Sequence, residues 1–415
     1  MKGAVKVRNS LIKAWYGVLF VLMAIGGYAI IQKAQAGMAI TNLTNATPWG
    51  AWVAFYIFFV GLSAGSFLLS TMVFVFKMEQ YERIGRDALL VAILSIMLAG
   101  LFIILDLGKM ERFINIFRYW NFTSILAWEV RFYIIYVSIL LAELYFSMRQ
   151  DLIRMAEGEG WKASFAKLLA LGSTDLSEES KQRDHKMLKI LGAIGIPIAI
   201  FGVHGGTEIL SAVAKTRSFW YSDLFPATLT SLVSGTALLM ALYVIRTKVI
   251  GRQVDIKMVQ SLAGLLAVFL LLNVGLEFYE LFIGAYSLKH EELAIIKTII
   301  GSDFSWSFWG VQIFIGVIVP LFILFSSKLR QSVTAVTLAA ILAVIGILGV
   351  RFNIVIPALI VPILQGLPWG YYVPTLTEWM SSIGIIAFGL SVYTFAIKVL
   401  PIDSLEELEG GSYDG

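Results

Sequence analysis

Residues 95–131, SIMLAGLFIILDLGKMERFINIFRYWNFTSILAWEVR, run an apolar helix into Asp106, pass through a short amphipathic stretch, and open another helix at Trp128, Glu129 and Arg131. The design returns about 170 positions later in LLLNVGLEFYELFIG (residues 270–284), where Leu272-Asn273-Val274-Gly275 matches Leu105-Asp106-Leu107-Gly108. A Trp-rich helix start, Trp306 and Trp309, follows at a similar distance. A charge at the end of a membrane helix is costly unless it lines a wet or protein-buried site. Two such ends at equivalent depth predict a duplicated bundle built around polar helix termini.

Composition agrees with a membrane setting. Hydrophobic residues make up 58% of the chain, charged residues 14%, and the mean hydropathy is +0.82, outside the range of soluble domains. Ten stretches reach the roughly 20 apolar residues needed to cross a bilayer: 14–31, 51–76, 88–105, 128–147, 188–203, 228–245, 258–276, 306–326, 333–350 and 379–398. The fifth and ninth are short or interrupted by proline. The expected fold is all-α and polytopic, with ten transmembrane helices. No small-residue cleavage site follows the first stretch, which is read as a retained helix. Cysteine is absent, which rules out disulfides, thiolate-bound metals, iron–sulfur clusters held by this chain and covalently attached haem.

Lys and Arg favour one side of the membrane by about two to one, from the amino terminus (Lys2, Lys6, Arg8, Lys13) to the segment at 148–187. That side is predicted to be the cytoplasm, with both termini on it, in the cell membrane. Further matches extend the repeat. Ser63-Ala64-Gly65-Ser66 resembles Val233-Ser234-Gly235-Thr236, and Gly202-Val203-His204 aligns with Gly349-Val350-Arg351. Two four-helix units in the same orientation are expected, at about 45–215 and 225–365, flanked by the first and last helices within one membrane domain. The plain alternative is chance alignment of low-complexity apolar sequence. The segment 148–187 is read as a polar, partly helical cytoplasmic loop, and 402–415 as a disordered acidic tail.

Four outer segments are rich in Trp, Tyr, Phe and Pro: NATPWGAW (45–52), FINIFRYWNF (113–122), RSFWYSDLFP (217–226) and LPWGYYVPTLTEW (367–379). Some of this is the usual interfacial aromatic belt; the density also suits a cap over a lateral opening or a partner's docking surface.

Of three histidines, His185 and His290 lie in loops, which leaves His204 without a second histidine for a bis-imidazole haem. His204 is either a hydrogen-bonded structural residue or part of a site, with glycines that allow close approach and Glu208 one turn away. Asp106 has two readings, an interfacial pair with Lys109 or Arg112 and a proton-exchanging carboxylate. Glu129 sits in a first helical turn, where the helix dipole alone favours it. Glu277 and Glu280 are the second-unit counterparts on one helix face, and Arg351 is solvated or paired with one of them. These residues form no nucleophilic triad, phosphate loop or metal site. They suit a polar head group that exchanges protons while an apolar tail lies among the helices, as a quinone does.

The ordered motifs, YIFFVGLSAGS, LDLGK-x-x-R, NFTSILAWEV, HGGTEIL, LEFYELF, FWGVQIFIGVIVPL, RFNIVIPAL and YVPTLTEW, resemble the NrfD/PsrC family of polysulfide-reductase-like membrane subunits over about 40–400. Ten helices are similar to the longer branch, with DsrP/HmeB-type subunits of sulfur-metabolism complexes. The resemblance implies a haem-free subunit that binds menaquinone or a related quinone near the outer face. It also implies exchange of electrons with an extracytoplasmic ferredoxin-like iron–sulfur subunit, with a multihaem cytochrome c as a further candidate partner. Such a subunit is not catalytic alone and binds no nucleic acid. On matched positions the quinone pocket maps to Asn45, Trp49, Asp106 and His204. Eight-helix members carry a histidine near position 48, where this chain has Pro48 and Trp49. Proton transfer would involve Asp106, Glu129, Glu277, Glu280 and Arg351. The competing expectation is a secondary transporter or proton channel with no redox role; a third is a structural anchor.

Overall fold

The computed structural model describes residues 2–204, 224–287, 289–362 and 366–403. Ten helices within it are long and apolar enough to cross a membrane. They are α1 (Lys2–Ala36), α2 (Ala51–Phe74), α3 (Glu82–Asp106), α4 (Ile125–Ala156) and α5 (Glu178–Pro197), the last continuing as a π-helical turn Ile198–His204. The second half contains α6 (Leu224–Ile250), α7 (Ile256–Tyr286), α8 (π-helical Trp306–Ile318, then Val319–Phe325), α9 (Val333–Ile360) and α10 (Leu376–Val399). No strand occurs among the described residues.

Each predicted span is present, and most helices overrun their apolar core at one or both ends. The segment expected to be a loop over 148–187 is mostly helix: α4 runs on to Ala156, a short helix covers Trp161–Leu169, and α5 starts at Glu178. Amphipathic extension explains this, because solvated turns beyond the bilayer can be polar and still continue a helix. Proline interrupts neither short span. Pro357 lies near the last turn of α9, and Pro197 coincides with the switch of α5 to π-helical geometry, where a freed carbonyl can be re-satisfied. Several starts are capped by side chains, as expected where Ser, Thr or Asp precedes the apolar run. Ser124, Ser177, Asp255 and Ser332 each accept from a backbone N–H three residues on. Thr375 and Glu378 form a reciprocal capping box.

Helices α2, α3, α4 and α5 pack in a ring, and α6, α7, α8 and α9 form a second ring. The rings meet chiefly along α2 and α6, with α9 also against α2, while α1 and α10 pair with each other beside α3. Small residues set the closest crossings, as in membrane bundles generally. A Cβ placed on Gly65 would overlap the Ser231 carbonyl of α6, and one on Gly235 would overlap the Gly65 backbone. Gly26 and Gly384 meet in the same way between α1 and α10, as do Gly316 and Gly346 between α8 and α9. Both termini of the ten-helix path lie on one side, here the terminal face; the other side is the opposite face. At the terminal face Ile402 is buried and Asp403 pairs with Arg246 and Arg252, so the first residues of the acidic tail are packed onto the bundle.

Candidate functional site

Polar groups gather at three places toward the opposite face. The first joins the ends of α1, α2, α3 and α10. Lys33, in the last turns of α1, is only 1% exposed and donates to the carbonyls of Leu107 (2.9 Å) and Gly108 (3.5 Å) just past α3. A cation there answers the negative end of the α3 dipole. Its ammonium also stands over the Trp52 ring, 5.9 Å from the centroid, and acts electrostatically on Asp106. Asp106 ends α3 with Oδ1 buried and without a hydrogen-bond partner among the described residues. Trp52 is itself held by a 3.1 Å bond from Nε1 to Ser381 Oγ.

Glu378 completes this cluster. It is fully buried and accepts from the Tyr372 hydroxyl (2.5 Å), the Thr375 N–H (2.8 Å) and the Thr375 hydroxyl (3.1 Å). The Tyr372 hydroxyl accepts in turn from the Ala51 N–H at 2.7 Å, and its ring fills the space a side chain on Gly50 would need. Burial, reinforced by the Glu378 carboxyl, pushes the Tyr372 phenol well above its ordinary pKa. The aromatic segment at 367–379 thus reaches back over the start of α2 and closes the cluster from outside.

The second cluster lies between α2 and α4. Glu129 is buried and accepts from the hydroxyls of Tyr56 and, at 2.6 Å, Tyr133. Beside it Arg131 donates to the Asn121 carbonyl at 2.9 Å and is enclosed by the rings of Trp120, Phe122 and Trp128, its guanidinium 4.5–4.9 Å from their centroids. Cation–π contact of this kind holds an arginine at a membrane boundary.

The third runs through the second ring. Thr230 donates to Asn273 Oδ1 (2.8 Å), Asn273 to Glu277 Oε1 (2.8 Å), Gln312 to Glu277 Oε2 (3.0 Å), and Asn353 to Gln312 Oε1 (2.8 Å). Arg351, 4% exposed, brings its guanidinium beside Gly61 of α2, between the two rings.

The predicted site residues are therefore divided rather than convergent. Asp106 stands with Lys33 and Glu378, not with Lys109 or Arg112, which are exposed. Glu129 belongs to the tyrosine cluster and Glu277 to the amide network, while Glu280 is half-buried on the same helix. A solvated Arg351 is ruled out by its burial. In the 41–50 loop Asn45 is exposed and Trp49 half-buried. The side chain of His204 and all of Glu208 lie outside the described residues. Sequence reasoning missed Lys33, which reads as a loop charge, and Tyr372, Glu378, Tyr56 and Tyr133, which read as interfacial residues. A signal for Glu378 existed in the T-x-x-E capping pattern at Thr375.

Two four-helix rings, a flanking helix pair and polar clusters at helix ends near one face define an integral, multi-pass membrane protein. The model of the polysulphide reductase NrfD family matches residues 39–363, and the chain belongs to that family. It is 36% identical over 406 residues to a subunit of the selenate reductase of Mesobacillus selenatarsenatis, covering 94% of each chain. It is 27% identical to the Hdr-like menaquinol oxidoreductase integral membrane subunit of Archaeoglobus fulgidus, again over 94% of each. To the menaquinone reductase integral membrane subunit of Nitratidesulfovibrio vulgaris it is 25% identical, over 94% of this chain and 91% of the relative.

Proposed function

We propose that this chain is the quinone-binding membrane subunit of a multi-subunit respiratory oxidoreductase. It would pass electrons between menaquinone, or a related quinone, and an extracytoplasmic iron–sulfur partner. The terminal face is cytoplasmic in this reading, supported by the excess of Lys and Arg there. The relatives' names, selenate reductase, menaquinol oxidoreductase and menaquinone reductase, support the same class. A duplicated ancestry for the two rings is part of the proposal; Gly65 and Gly235, matched in the sequence repeat, pack against each other where the rings meet.

The observation that carries the site is Asp106. Its Oδ1 is buried without a partner among the described residues, next to an ammonium and behind an aromatic cap. A buried polar atom of this kind calls for a partner that the protein does not supply. A quinone head fits the group: the quinone's carbonyl oxygens accept from a protonated carboxyl, the quinol's hydroxyls donate to an ionised one, and the ring suits Trp49 and Trp52. When bound, it supplies a two-electron, two-proton couple. Asp106 holds and moves the proton at Oδ1, Lys33 balances the carboxylate, and Tyr372 with Glu378 keeps the cap closed against water. Asn45 and Trp49 form the mouth. His204 and Glu208 join the pocket on sequence alone, and Glu129, Glu277, Glu280 and Arg351 would serve proton transfer.

Asp106→Asn tests this. Asparagine keeps the shape and a donor but carries no exchangeable acidic proton. Quinol turnover is expected to fall about 100-fold, a typical general acid–base contribution. Affinity for the fluorescent analogue heptyl-hydroxyquinoline N-oxide should weaken by less than about tenfold, one neutral hydrogen bond's worth. Unchanged turnover and affinity in both Asp106→Asn and His204→Ala would remove the pocket. Solute or proton flux with no quinone dependence would instead favour a transporter.

A further inference from the structure

Glu143 takes no part in the sites above, yet its position is unusual. It lies within membrane-spanning α4, and the whole residue is 1% exposed. Its Oε1 has no hydrogen-bond partner among the described residues. An ionisable group inside a membrane helix is costly and marks a pathway or a site more often than a packing role. Gly192 of α5 packs beside it: a Cβ there would stand at ordinary contact distance, 3.8 Å, from Glu143 Oε1 and from the Thr71 methyl, and would overlap the Val75 side chain at 2.5 Å.

Two features give Glu143 neighbours in function. Toward the opposite face, α4 presents Glu129, Tyr133, Tyr136 and Glu143 at intervals of four, three and seven, one stripe of the helix. The parallel face of α2 carries Tyr56, Ser63, Ser66 and Ser70. Tyr56 and Tyr133 bond Glu129. The Ser63 hydroxyl donates to the Ala92 carbonyl at 2.7 Å and lies 3.3 Å from the Tyr136 hydroxyl. Ser66 is fully buried, and its hydroxyl has no partner among the described residues. The column spans about 21 Å from Glu129 to Glu143 at the helical rise, against a bilayer core of about 30 Å. Toward the terminal face, a cavity of about 190 Å³ begins one turn beyond Glu143, lined among others by Ser147, Gln150, Asp151, Asp184 and His185. It has room for several waters, and Gln150 Oε1 is likewise buried without a partner among the described residues.

We infer that Glu143 is a proton relay joining this terminal-face cavity to the hydroxyl column that ends on Glu129. Resting on the quinone reading, in which Glu129 serves proton transfer, the inference gives Glu129 a route to protons from the other side of the membrane. For each quinone reduced, two electrons come from the redox partner subunit. Up to two protons leave cavity water, pass singly through the Glu143 carboxyl, and are replaced in the cavity from the solvent on the terminal face; quinol oxidation reverses the flow. Intervening gaps along Ser66 and Ser70 are crossed by water.

The test uses the complete complex purified with this chain, reconstituted in proteoliposomes and driven with a naphthoquinol and its redox partner. A pH dye on the terminal-face side reports proton exchange there. Wild type is expected to exchange about one proton per electron on that side. Glu143→Gln should lower that yield at least tenfold while heptyl-hydroxyquinoline N-oxide affinity stays within twofold, and Glu143→Asp should restore it. A Glu143→Gln complex with wild-type proton yield overturns the inference, as does wild-type exchange confined to the opposite side; both leave the quinone reading standing. Absence of analogue binding to wild type removes the quinone reading instead. If Glu143→Gln does not assemble, dicyclohexylcarbodiimide treatment of wild type decides: labelling of Glu143 with loss of terminal-face proton exchange supports the relay, and an unlabelled Glu143 overturns it.

Discussion

Gly65→Ala should unfold this protein far more readily than a single methyl group ordinarily does. The added Cβ would overlap the Ser231 carbonyl of α6. That carbonyl belongs to a helix backbone and cannot rotate aside as a side chain can, so the two rings must separate along their central seam. Overpacking usually costs about 1–3 kcal/mol, and a backbone-to-backbone clash belongs at or above the top of that range. Separation would also disturb Arg351, which packs beside Gly61 on the same helix. Thermal unfolding in detergent, followed by tryptophan fluorescence, should show a large drop in Tm. Gly100→Ala is the matched control: nothing lies within 4 Å of its added Cβ, so its effect should be near neutral or slightly stabilising through helix propensity. Equal Tm values for the two variants would show that α2 and α6 do not cross as described.

Arg246→Ala should be similarly damaging, for an electrostatic reason. Arg246 reaches from α6 to Asp87 on α3 at 2.9–3.0 Å and to Asp403 beyond α10 at 2.7 Å. Asp87 is 1% exposed and, among the described residues, otherwise accepts only a 3.2 Å bond from Tyr393. Removing the arginine strands a buried carboxylate, which typically costs about 3–5 kcal/mol. Asp403 keeps Arg252 at 2.8 Å, so the tail should lose its hold only partly. Replacing both partners, Asp87→Leu with Arg246→Met, should recover most of the lost stability, because an apolar pair has no desolvation penalty to offset. Chemical unfolding of the single and double variants measures the coupling. A double variant no better than Arg246→Ala would mean the pair is held for something other than mutual neutralisation.

The ten spans, the all-helical fold and the family motifs were legible in the chain because bilayer insertion depends on local quantities: apolar length, flanking charge and helix caps. Asp106, Glu129, Glu277 and Arg351 were legible as misfits, polar groups where the local solvent should be hydrocarbon or its boundary. Their grouping was not. Lys33 lies 73 positions before Asp106 and looks like an ordinary interfacial charge until it reaches the carbonyls just past α3. Tyr372 and Ala51 are 321 positions apart, and no periodicity foretells their bond. The amino-acid order by itself determined which segments enter the membrane and which residues are out of place there. Only the tertiary structure decided that these misfits divide into three clusters, that α4 and α2 align a hydroxyl column, and that glycine crossings let the rings touch. The physical reason is that insertion is decided one helix at a time against lipid, whereas burial of a polar group is decided by which other helix stands opposite it.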